Sequence, residues 1–153
     1  MIDIQDRNEI FLFLRQLPPD RKPLFGAMTP QHMVEHLAHS VRFSNGREPQ
    51  PHYYTPEKEQ RFKAYMMDAH TSLVPGFRSP VMPAEGLPDL LHTSLAEALT
   101  QLEDELQAFD RFFQENPEAT PVNPAVGELG YKEWVVFHNK HFRHHLGQFG
   151  FTR

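Results

Sequence analysis

Residues 94–116 read SLAEALTQLEDELQAFDRFFQEN, and this stretch decides the fold. Ser94 and Glu97 have the spacing of a capping box, in which each closes the first helical turn on the other. Behind them Leu95, Leu99, Leu102, Leu106, Phe109 and Phe113 recur at spacings of four and three, the seam of a bundle helix. Asn116-Pro117 ends the run, because proline cannot continue the hydrogen-bond ladder.

Working outward, residues 5–17 place Ile10, Leu14 and Leu17 on one helical face and stop at Pro18-Pro19. Thr29-Pro30 pairs a capping hydroxyl with a proline at the first helical position. The helix that follows carries Met33, Val34, Leu37 and Val41 and is expected to run to about Asn45-Gly46. Thr55-Pro56-Glu57 repeats the start signal for a third helix through about His70. A fifth runs from about Tyr131 to Phe149, with Gly150 placed to stop it. Strand signals are nearly absent, so the expected class is all-α.

Two long connections remain. Residues 117–130 hold Pro117, Pro121, Pro124, Gly127 and Gly130; residues 71–92 hold Pro75, Pro80, Pro83 and Pro88. Connections of this length are usually functional or mobile. Leu73, Val74, Phe77, Val81 and Met82 need cover, so 71–92 is expected to close over one end of the bundle or to join a homodimer contact.

The 153 residues suit a single domain, 1–153. The formal charge is −5 and no block of Lys and Arg interrupts it, which argues against nucleic acid as a partner. There is no cysteine, hence no disulfide, thiolate ligand or cysteine nucleophile. The N-terminus has no secretory pattern and no apolar run reaches bilayer length, so the expectation is a cytoplasmic protein without a membrane partner.

Residues 138–149, HNKHFRHHLGQF, carry four of the ten histidines. On a helical wheel Trp134, His138, His141, His145 and Gln148 share a face. His141 and His145 lie one turn apart, the spacing that aims two imidazoles at one ion. His144 is turned about a hundred degrees away from His145 and is left out. A third ligand has to come from elsewhere, and the second helix offers His32, His36 and His39. His36, beside Met33, Ser40 and Phe43, borders the apolar stripe; His32 falls in the first turn and His39 toward the polar side. Neutral imidazoles suit Zn, Ni, Fe or Cu, and three protein ligands leave positions open for water or substrate.

TPQHMVEHLAHSV at 29–41 and NPAVGELGYKEWVVFHNKHFRHHLGQFG at 123–150 resemble the DinB/YfiT-like superfamily. Within it they resemble a branch of bacterial domains with a QMxEHL-type helix and a terminal HxxHHxxQFG helix. The resemblance implies a four-helix bundle, here with an extra N-terminal helix. It also implies a divalent ion (Zn, Ni or Fe) held by His36, His141 and His145. Relatives include transferases and isomerases that work with low-molecular-weight thiols. One departure stands out. Where the branch tends to have His-Pro followed by aromatic residues and Gly, this chain reads Asn123-Pro124-Ala125-Val126-Gly127. His138, one turn before His141, is then the candidate to compensate.

His138, Gln148 and Trp134 are the candidates to support or line the site. Glu35 and Glu133 read as structural, Glu133 at the positive end of its helix. Arg78 is a candidate to hold an anionic substrate. No Ser-His-Asp spacing or phosphate loop is present. The expectation is a metal-dependent enzyme, a thiol transferase or a hydrolase, acting on a small molecule. The rival expectation is a non-catalytic small-molecule-binding or dimerisation bundle that keeps the metal site.

Overall fold

A computed structural model describes residues 2–73 and 79–152. Five helices are found among them: α1 (Asn8–Gln16), α2 (Pro30–Arg42), α3 (Pro56–Met67), α4 (Leu95–Glu115) and α5 (Tyr131–Gly147). A two-stranded antiparallel ribbon, β1 (Val122–Asn123) and β2 (Gly127–Glu128), precedes α5. The fold is all-α: α2 packs most extensively on α4, α5 meets α2 and α3, and α1 is added against α4. No helix is long and apolar enough to cross a membrane.

The start signals act as read. Thr29 Oγ1 accepts from the His32 amide, Thr55 Oγ1 from Lys58 and Ser94 Oγ from Glu97. Each satisfies a backbone donor that a helix end leaves orphaned. Leu95, Leu102, Leu106, Phe109 and Phe113 of α4 are buried in the core, while Leu99 is only partly covered. Burying each such side chain contributes about 1.5–3 kcal/mol.

Four helices are shorter than expected. Residues 2–6 form a turn in which Ile4 is buried and its amide bonds Asn139 Oδ1 at 2.8 Å, so α1 begins at Asn8. At the end of α2, the Phe43 and Ser44 amides tighten to carbonyls three residues back, and Gly46 turns the chain at φ +80°. A Cβ there would meet Phe112 at 2.9 Å. α3 stops at Met67, where the Lys140 ammonium takes the Asp68 carbonyl and, at 2.9 Å, Thr71 Oγ1. α5 ends at Gly147, two residues before Phe149, and the turn beyond it closes at Gly150, at φ +96°, where the Phe151 amide reaches back to the Leu146 carbonyl at 3.1 Å.

Where they are described, both connections make specific contacts with the rest of the fold. Asn123, the departure from the branch pattern, is buried, and its Oδ1 accepts from the Ala125 and Val126 amides at 2.9 and 3.2 Å. It holds the turn of the ribbon as an Asx motif. In 71–92, Leu73, Val81, Met82 and Leu87 pack partly buried against the core. Val74, Phe77 and Arg78 lie outside the described residues.

Candidate metal centre

The centre forms where α2 crosses α5. His36 of α2 puts Nε2 2.9 Å from His141 Nε2, and His145 Nε2 lies 3.1 Å from the same atom. The three ligand atoms all fall within 4.8 Å of one another. Nitrogens each about 2.0–2.1 Å from a tetrahedral ion would stand roughly 3.3 Å apart, so small ring movements reach that geometry. His141 and His145 are buried and His36 is partly covered.

The protonation states suit ligation. Burial, followed by the neighbouring His145, pushes His36 down to about 3. Burial lowers His145 to about 4 against the raising effect of Gln148, and takes His141 well below its ordinary range. All three are therefore neutral near pH 7, the form in which imidazole offers a lone pair. Gln148 Oε1 stands 2.8 Å from His145 Nδ1, and since an amide oxygen only accepts, that nitrogen carries the proton. His145 Nε2 is left free for an ion. His141 Nδ1 is buried without a hydrogen-bond partner.

His138 does not join the cluster. It is fully buried, stacked on Trp134 with ring centroids 5.1 Å apart, and its Nε2 lies 2.8 Å from Ser44 Oγ. Ser44 donates its hydroxyl to the Val41 carbonyl, so His138 must donate to Ser44. Burial pushes His138 down to about 3. It ties α5 to the end of α2 and lines no cavity among those described. Trp134 is likewise core, with its indole donating to the Pro121 carbonyl at 3.1 Å. His144 stays outside the cluster: its ring meets Phe25 and the Leu73 backbone and packs edge-on against the His145 ring, centroids 4.9 Å apart.

A cavity of about 720 Å³ opens beside His36. α2 forms its polar wall with His32, Glu35, His36, His39 and Arg42. Met28, Val81, Met82, Pro83, Pro88 and Leu91 supply the apolar wall opposite. Glu35 clamps the two walls together, accepting from the Leu91 and His92 amides at 2.7 and 3.2 Å and from Gln31 at 2.9 Å. Burial raises its carboxyl, but these hydrogen bonds outweigh that and hold it below the ordinary range. Glu133 accepts from the Gly130 amide and pairs with Lys63, a helix-start role.

Two features escaped the sequence reading. Glu105 is buried in the α4 seam among Arg42, Arg47, Asn45 and Gln101, with contacts of 2.8–3.1 Å. Those bonds overcome the raising effect of burial and keep it ionised. Gly26, at φ +77°, lies so close to Gln148 that a Cβ would meet Nε2 at 2.8 Å. No local pattern announces either, because each depends on partners far away in the chain.

Fold and site together define an all-α protein with a three-histidine cluster suited to a divalent ion. None of the family models, curated proteins or solved structures compared with the chain matches it.

Proposed function

We propose that the chain is a metal-dependent enzyme of the DinB/YfiT-like kind. In this reading His36, His141 and His145 hold a divalent ion (zinc, nickel or iron), and a small-molecule substrate enters beside His36. The observation that carries the reading is the convergence of three neutral Nε2 atoms next to an open cavity. A closed structural site needs no such approach. When bound, a divalent ion favours the deprotonated form of a water or a low-molecular-weight thiol beside it, supplying a nucleophile near neutral pH.

The chain's own residues do the rest. Gln148 fixes the tautomer and ring plane of His145. α5 sets the spacing of His141 and His145, whereas His36 reports whether α2 has docked. The apolar wall from 81–91 excludes water from one side of the cavity and strengthens polar interactions within it. Thiol transfer is the preferred reaction, resting on the resemblance of 29–41 and 123–150.

The test is metal content and titration of tag-free protein beside a His36→Ala/His141→Ala variant. Stoichiometric zinc, nickel or iron in the parent and none in the variant is the expected result. Turnover is then sought by following loss of free thiol in the presence of electrophilic acceptors. A parent that binds none of these ions tightly overturns the proposal. Tight binding without turnover moves the protein to the non-catalytic, small-molecule-binding reading.

A further inference from the structure

The charges around the cavity carry information about its ligand that the histidines do not. Among the described residues, three carboxylates, Glu35, Glu48 and Asp89, line it against a single guanidinium, Arg42. That guanidinium is already committed, with Nη1 2.9 Å from Glu105 Oε2 and Nε 3.3 Å from Glu48 Oε1. Glu48 also takes His39 Nε2 at 2.7 Å, and Glu35 is satisfied by backbone amides and Gln31. Asp89 differs: among the described residues its carboxylate has no hydrogen bond or ion pair. It stands exposed on the cavity beside Pro88, next to the apolar wall.

Among the described residues that line the cavity, an acidic ligand would therefore bring its charge toward three carboxylates with no uncommitted arginine or lysine to receive it. Unfavourable placement of this kind selects as effectively as an attractive contact. A basic ligand meets the opposite situation, since one carboxylate awaits a partner and the neighbouring field is negative. The apolar wall provides a surface for a hydrocarbon body, and the volume falls in the range of small-molecule sites.

We propose that this cavity takes a basic amphipathic small molecule, an amine or amidine on an apolar body, and discriminates against carboxylates, phosphates and other anions. The amine pairs with Asp89 while the apolar body lies against Val81, Met82, Pro83 and Leu91. This rests on the reading of the cavity as the substrate entrance, but not on the presence of the ion. It also narrows the co-substrate: a thiol used here is neutral or basic rather than a polycarboxylate.

The probes are 2-phenylethylamine, 2-phenylethanol and 3-phenylpropionate, which share a phenyl body and differ in the charge of the head. Binding is followed by NMR shifts of the full chain, after chelator treatment and again with zinc added. Without zinc, the amine is expected to bind at least about tenfold more tightly than the propionate, with the alcohol between them. Added salt should narrow that gap. Asp89→Asn should cut the amine's advantage severalfold and Asp89→Lys should invert it; both changes fall on an exposed side chain. Equal or tighter binding of the propionate without zinc overturns the inference, as does absence of binding by all three or a ranking indifferent to Asp89. Loss of zinc binding alone would sink the metal reading and leave the amine preference standing. Loss of the preference with zinc binding intact would sink this inference alone.

Discussion

Gln148 Oε1 lies 2.8 Å from His145 Nδ1, and Gly26 packs against the amide of the same Gln148. The Leu24 amide adds a bond to the Gln148 carbonyl at 2.7 Å. The 24–26 segment thus holds the residue that holds the ligand. Gln148→Leu should weaken zinc binding by about 10–100-fold, the usual effect of removing a group that orients a metal-bound histidine. Gln148→Glu, which keeps an acceptor, should stay within a few-fold of the parent. Competition titration with a chromogenic chelator reads both, and unchanged binding by the Leu variant would show that His145 needs no orientation.

The histidines themselves should separate into three groups. His36→Ala, His141→Ala and His145→Ala each leave two ligands, and tight binding should be lost in all three. His144→Ala should bind like the parent, because its ring faces Phe25 and the Leu73 backbone. His138→Ala should act on stability, costing about 2–4 kcal/mol in urea unfolding, by opening space in the core and leaving Ser44 without its donor. Zinc titration and unfolding on the same five variants check the division. Loss of the ion by His144→Ala with retention by His145→Ala would mean that the helix face is misassigned.

Acid should destabilise the fold even with zinc absent. His36 and His138 are held at about 3 and His145 at about 4, against an ordinary value of 6.5. Between those folded values and 6.5 each binds fewer protons folded than unfolded. Stability is therefore full above about pH 6.5 and falls as pH drops through that window. The slope is at most about 1.4 kcal/mol per pH unit for each group. Urea midpoints measured from about pH 7 to about pH 5 should decline steadily, and zinc should leave over the same range because protons compete for the ligands. A flat midpoint would mean that these rings are not buried in the neutral form.

Glu105 should be the costliest charge to remove. Its carboxylate joins Arg42 and Arg47 of the α2 end to α4 and also takes Asn45 and Gln101. Glu105→Ala removes one of the two bonds of the buried Asn45 amide, whose Nδ2 keeps the Glu105 backbone carbonyl at 3.1 Å, and the arginines still reach solvent and keep their other carboxylates. The expected loss is about 2–4 kcal/mol in urea unfolding, somewhat below that of a fully buried pair. A change under about 0.5 kcal/mol would reduce this network to surface decoration.

Glu35→Ala should free the Leu91 and His92 amides and loosen one wall of the cavity. Limited proteolysis should then cut within 79–92 faster than in the parent. Equal rates would mean that the apolar contacts of Val81 and Met82 suffice to hold the segment.

What the sequence by itself determined is what lies within a few helical turns. Thr29-Pro30, Thr55-Pro56 and Ser94 with Glu97 start their helices through bonds spanning three residues, and the α4 seam buries because its period matches the helix. The pairing of His141 with His145 follows from four residues of one helix. The helix ends were less legible, since Asp68 is stopped by Lys140 and Ile4 by Asn139, side chains that arrive only on folding. Tertiary structure alone decided that His36 rather than His32 or His39 meets the α5 pair, and that His138 turns to Ser44 instead of the centre. It alone set Gly26 against Gln148, buried Glu105 and opened a cavity beside His36 where Asp89 has no partner among the described residues. The physical reason is range. Caps and seams are written in the bonds and periodicity of one segment, whereas a ligand set, a buried carboxylate and a cavity exist only when segments distant in the chain are packed at fixed angles.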